Sequence, residues 1–178
     1  MEELQIHSAS NSYLDDLYEE LGRILAEIRP WSEDLYESEY YFEKRWLEVR
    51  NSNEAIILHI FRSDGEYLES TNGNILTGKW SILENSNTMI LECPTISGKA
   101  EKTLYDLSFL NKDFFILKKH GTHKSFLVLG RDQLVSGMNL EEVIDLISAQ
   151  YSNNKSWIKV LFVIVLVVAL FFLFRDWT

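Results

Sequence analysis

The sequence predicts a mainly β protein with flanking helices, built on an eight-stranded antiparallel up-and-down barrel. Three observations predict it. From Lys44 onward, short β-prone runs alternate with turn clusters at close intervals. The connections (Asn-Ser-Asn, Ser-Asp-Gly, Ser-Thr-Asn-Gly-Asn, Glu-Asn-Ser-Asn, Pro-Thr-Ile-Ser-Gly, Asn-Lys-Asp and Gly-Thr) are short enough to favour antiparallel neighbours. The runs are also numerous enough to close on themselves, which removes the unpaired edges an open sheet would carry.

The expected domains are an acidic helical region at 1–43, the barrel at 44–132, a short helix and hinge at 133–156, and a membrane helix at 157–177. In the first region Ser12 is the expected N-cap, with Asp15 three residues on. Leu14, Leu17, Tyr18, Leu21, Ile24, Leu25 and Ile28 then form one apolar stripe at helical spacing. Asp15, Asp16, Glu19 and Glu20 lie in the early turns and Arg29 at the end, the polarity a helix dipole favours, and Pro30 closes the helix. Residues 31–43 are acidic and rich in Tyr and Phe, a connecting segment with room for a second short helix.

Strands are expected over 44–50, 54–62, 65–69, 75–83, 87–93, 101–110, 113–119 and 124–130. Within 75–83, alternation puts Gly78, Trp80 and Ile82 on one side and Lys79 and Ser81 on the other. After the last strand, Asn139 and Glu142 have the spacing of a reciprocal capping box, with Leu140, Val143, Ile144 and Ile147 on one helix face. Residues 151–156 are a polar hinge.

From Val160 to Phe174 there is no charge, polar side chain, glycine or proline. Trp157 and Trp177 bracket this run at a helical separation of about 30 Å, close to the hydrocarbon thickness of a bilayer. Their rings suit the headgroup zone, while Lys159 and Arg175 sit near its two ends. The run therefore reads as a single-pass C-terminal anchor. No signal peptide is visible in the acidic start, so the expected site is a membrane, the bacterial inner membrane, with the water-soluble part facing the cytoplasm. The run carries no intramembrane charge, Asn or Gln, so it offers nothing for a conducting path.

The net charge is −10, and residues 1–50 hold thirteen Asp and Glu against five Lys and Arg. Binding of a nucleic-acid polymer usually leaves a basic footprint, and none is present. The lone Cys93 has no partner for an internal disulfide, in keeping with a reducing compartment. There is no Gly-x-Ser-x-Gly elbow, phosphate-cradling glycine loop or His-Glu-x-x-His, so no enzyme, cofactor or metal is expected.

Further residues carry a family resemblance. They are Trp46, the hairpin Phe61-Arg-Ser-Asp-Gly-Glu-Tyr67, Gly73, and Thr77-Gly-Lys-Trp80-Ser-Ile. Thr88-Met-Ile-Leu-Glu92, Leu104 to Leu110, Asp113 to Lys118 and Ser125 to Leu129 continue the pattern. This stretch resembles the small lipocalin-like domains found widely in bacteria. The resemblance implies a calycin-type barrel with packed core tryptophans, and it implies no chemistry. Typical members are exported, which the acidic start and apolar C-terminal run do not match.

The expected function is that of a membrane-tethered, non-enzymatic binding module. Trp46, Arg62, Tyr67, Lys79 and Trp80 are candidate contacts for a small ligand. Leu17, Leu21, Ile24 and Ile28 are candidates for a protein partner or self-association, or else pack on the adjoining domain. The hairpin tip Lys118, Lys119, His120, His123 and Lys124 is the one concentrated basic patch, and a candidate contact for an acidic partner, phosphate or headgroups. Two alternatives stay open. One is a cyclic-nucleotide-sensing, membrane-disrupting anti-phage effector, and the other is a scaffold subunit of a membrane complex.

Overall fold

The computed structural model describes residues 2–51, 55–94, 100–122 and 124–151. The chain divides into two compact units at Val143/Ile144. The first holds a closed eight-stranded barrel in which each strand pairs antiparallel with its neighbours in sequence, and β8 returns to β1. The strands are β1 Trp46–Glu48, β2 Ile57–Phe61, β3 Glu66–Thr71, β4 Asn74–Ile82, β5 Thr88–Pro94, β6 Ala100–Leu110, β7 Phe114–Lys119 and β8 Phe126–Arg131. Each expected run overlaps one of them, with ends that differ by up to three residues. At the β3–β4 hairpin, Asn72 (φ 50°) and Gly73 (φ 87°) both take the left-handed conformation, the pairing that matches strand twist in a tight turn.

Helix α1 runs Glu2–Ile28, so it begins well before Ser12, which lies inside the helix and is not its cap. Helical propensity and dipole-favoured acids extend through the preceding residues, and a lone Ser is too weak a signal to start a helix where the chain already continues one. The C-terminal end falls where Pro30 requires it, in a 3-10 turn Arg29–Trp31. The apolar stripe is used internally. Leu17, Leu21, Ile24 and Ile28 are at most 6 % exposed, so they are not a free docking face. They lie against the barrel on its β6–β8 side, where Tyr18 stacks toward Phe126 at 6.0 Å and the Arg29 guanidinium donates to the Leu107 and Ser108 carbonyls.

Residues 31–43 close one end of the barrel. Glu33 N–H donates to Leu110 O, Leu35 N–H to Asn87 Oδ1, and Glu43 N–H to Phe61 O. A second 3-10 turn, Ser38–Tyr40, then delivers Tyr41 into the core. Its ring packs against Phe42, Phe61, Trp80 and Phe115 with centroids 4.9–6.1 Å apart, and its hydroxyl donates to Leu35 O at 2.8 Å. The aromatic richness of this connector therefore makes it a plug.

Beyond β8, α2 (Asp132–Val135) packs on that strand, and residues 140–151 are helical. The capping box forms as spelled: Glu142 N–H donates to Asn139 Oδ1 at 2.9 Å and Asn139 N–H to Glu142 Oε2 at 2.8 Å. Leu140, Val143, Ile144 and Ile147 are buried. Among the described residues no helix is long and apolar enough to cross a membrane, and the apolar run with Trp157, Lys159, Arg175 and Trp177 lies outside them.

Candidate functional site

Period-two alternation decides what enters the barrel. Trp46, Phe61, Tyr67, Trp80, Met89, Leu91, Leu107, Leu110, Phe115, Leu117 and Leu129 point inward, joined by Leu35 and Tyr41 from the plug. Trp46 is fully buried, with its indole N–H donating to Tyr41 O at 3.2 Å. Trp80 is 9 % exposed and donates to Arg62 O at 2.9 Å. The half of the interior nearest the plug is thus solid with aromatic rings.

The same alternation carries polar groups inward toward the opposite half. Glu48 follows Trp46 by two residues, His59 precedes Phe61 by two, and Glu69 follows Tyr67 by two. They meet. His59 Nε2 is 3.0 Å from Glu48 Oε2, its Nδ1 contacts the Tyr67 hydroxyl, and that hydroxyl reaches Glu69 Oε2 at 3.3 Å. Arg50 Nε closes the chain on Glu48 Oε1 at 2.6 Å. His59 and Tyr67 are buried, Glu48 and Glu69 half-buried and Arg50 exposed, so this relay of five side chains runs from the barrel interior to its surface. Tyr67 has one proton for two neighbours. Its hydroxyl therefore donates either to His59 Nδ1 or to Glu69 Oε2, not to both.

The electrostatics follow from the geometry. Burial pushes the Glu48 carboxyl up, but hydrogen bonds from His59 and Arg50 outweigh it, and the group ends below the usual carboxylate range. Burial pushes the Tyr67 phenol up, and the charge of Glu69 adds to it. Cys93, across the interior on β5, is pushed up to about 11 by burial, with Glu69 and Glu101 adding. It is a thiol at neutral pH, not a nucleophile. Its alkylation by iodoacetamide at pH 8 is expected to run about 100-fold slower in the folded chain than in urea, because the thiolate is that much scarcer. Equal rates in the two states would contradict this placement.

The candidates chosen from sequence do not form one site. Trp46, Tyr67 and Trp80 are core residues. Lys79 is exposed on the outer face of β4, where alternation put it, and Arg62 lies past the end of β2 paired with Glu66 at 3.3 Å. Both cations therefore stand outside the barrel, not beside a ligand held within it. The basic hairpin disperses as well. His120 bonds Asp106 at 2.8 Å, Lys124 pairs with Glu19 of α1 at 3.4 Å, and Lys118 lies over the Phe126 ring at 6.0 Å. Lys119 is exposed, and His123 lies outside the described residues. Among the described residues no three His, Cys, Asp or Glu side chains are arranged to hold a metal ion.

Glu48, His59 and Glu69 escaped the sequence reading, which had only Tyr67 of this relay, because they lie on three different strands. The signal was the face they occupy, since Glu48, His59 and Glu69 each sit two residues from a core aromatic. No protein-family model matches the chain, and no curated protein or solved structure matches it.

Proposed function

We infer that this chain is a non-enzymatic, lipocalin-like binding module, tethered to a membrane by the apolar run 157–177. Its ligand-contacting surface is the relay-bearing half of the barrel interior. One observation carries the reading: a closed barrel packed with aromatic rings at its plugged half presents two carboxylates, an imidazole, a phenol and a thiol in the other half. A ligand group rich in hydrogen-bond donors or bearing positive charge suits those acceptors, Glu69 above all, because its one contact in the relay leaves acceptor capacity over. The relay serves recognition and not turnover. Cys93 is protonated, and among the described residues no serine, threonine or lysine joins the chain of contacts to act as a nucleophile.

Two measurements test it. Native mass spectrometry of the full chain, extracted from membranes, is expected to show a bound small molecule that Glu69→Leu loses while Lys112→Glu keeps it. A wild-type chain that carries nothing would overturn the ligand site. Alkaline carbonate washing is expected to leave the full chain in the membrane pellet and to release a chain ending at residue 156. Release of both would overturn the tether.

A further inference from the structure

Outside the barrel, α1 and the β6–β8 wall do not meet along their whole length. Between them lies a groove of about 570 Å³, within the range of small-molecule sites. Leu25, Ala26 and Gly22 of α1 form one wall, and Ser108 and Phe126 of the barrel form the other. Its charges are Arg29, Lys118 and Lys124 against Glu19, the only acid among the described lining residues. In a chain of net charge −10, this is a local reversal of sign.

The cations are held in place. Arg29 Nη1 donates to Leu107 O at 2.6 Å and Ser108 O at 3.0 Å, which pins the guanidinium at the groove. Lys118 rests over the Phe126 ring. Glu19 pairs with Lys124 but is 74 % exposed at its side chain, so it faces water more than the groove.

Gly22 is the second observation. It stands in the middle of a 27-residue helix, where glycine costs about 1 kcal/mol relative to alanine. Sterics do not require it, since a Cβ there would meet nothing closer than Phe126 Cζ at 3.7 Å, an ordinary contact. The helix gives up stability at a position that lines the groove opposite Phe126.

We propose that this groove binds an anion carried on an apolar body, such as an alkyl carboxylate or alkyl phosphate. The head group lies among Arg29, Lys118 and Lys124, and the chain lies along Gly22, Leu25 and Phe126. The site is separate from the barrel interior and does not rest on the ligand assigned there.

The test uses the full chain in nanodiscs of zwitterionic phosphatidylcholine, with empty discs as the reference. Octyl phosphate, octanoate, octanol and inorganic phosphate are titrated by calorimetry. Saturable binding of octyl phosphate or octanoate is expected, at least tenfold tighter than octanol or inorganic phosphate, and the stronger of the two charged probes identifies the head group. Lys118→Glu combined with Lys124→Glu is expected to weaken binding at least tenfold, as is Gly22→Leu, which fills the groove, while Lys112→Glu at the plugged end leaves it unchanged. Should Gly22→Leu fail to fold, the lysine pair decides. Octanol or inorganic phosphate binding as tightly as the charged amphiphiles, or full affinity in the lysine pair, would overturn the proposal.

Discussion

Replacing Trp46 by alanine is expected to lower the stability of the barrel by about 3–5 kcal/mol, a large part of what a small domain has. The side chain is fully buried, its ring lies 5.8 Å from that of Phe115, and the Arg131 guanidinium covers it at 5.8 Å. Removing it opens a cavity at the centre of the aromatic half. It also takes away the donor to Tyr41 O, so the plug loses a hydrogen bond that anchors it inside the barrel. Trp46→Phe, which keeps much of the volume but not the N–H, should cost clearly less. Urea unfolding followed by far-UV circular dichroism measures both. A loss below about 1 kcal/mol for the alanine variant would mean that the plugged half is not the stabilising core.

The second large effect belongs to the relay. His59→Leu is expected to cost about 2 kcal/mol or more, because it leaves the half-buried Glu48 with Arg50 alone and removes the neighbour of the Tyr67 hydroxyl. Changing Glu48 and His59 together to leucine should cost less than the sum of the single changes, since no buried charge is then stranded. Glu48 also gives the relay an acid sensitivity. Its folded value lies below the unfolded one, so its stabilisation is present above the ordinary carboxylate range and is lost as pH falls through the lower folded value. The wild type should therefore lose stability more steeply than Glu48→Gln on acidification below about pH 4. Parallel pH profiles for the two proteins, or additive costs in the leucine cycle, would remove the relay as a coupled unit.

Much of the architecture was legible because its signals are local. A two-residue alternation and turn-forming clusters are written in neighbouring residues, which is why all eight strands and the Asn139–Glu142 box could be located. The start of α1 was misplaced because a polar cap residue marks a helix end only when the preceding chain does something else. The site was harder to read. Trp46 and Trp80 announced a core, and their size drew attention from the polar residues sharing their faces. Arg62 and Lys79 were chosen for their charge, yet Lys79 lies on the outer face of β4, where alternation against Trp80 already put it, and Arg62 lies past the end of β2. Glu48, His59 and Glu69 come together only through strand registry, Trp46 opposite His59 and His59 opposite Glu69, and no single segment contains that information.

The seam between β1 and β8 has a bearing on how the chain is made. Trp46 stands opposite Arg131 in the β1–β8 ladder, so the first strand leaving the ribosome waits for the last before its free edge is covered. Until then a nascent chain exposes an unpaired strand beside an indole, the kind of surface that chaperones bind and that aggregates when they are scarce. The amide proton of Val49, which donates to Val128 O across this seam, should accordingly be among the late ones to gain protection in pulse-labelled refolding, after the β3–β4 and β5–β6 hairpins have zipped.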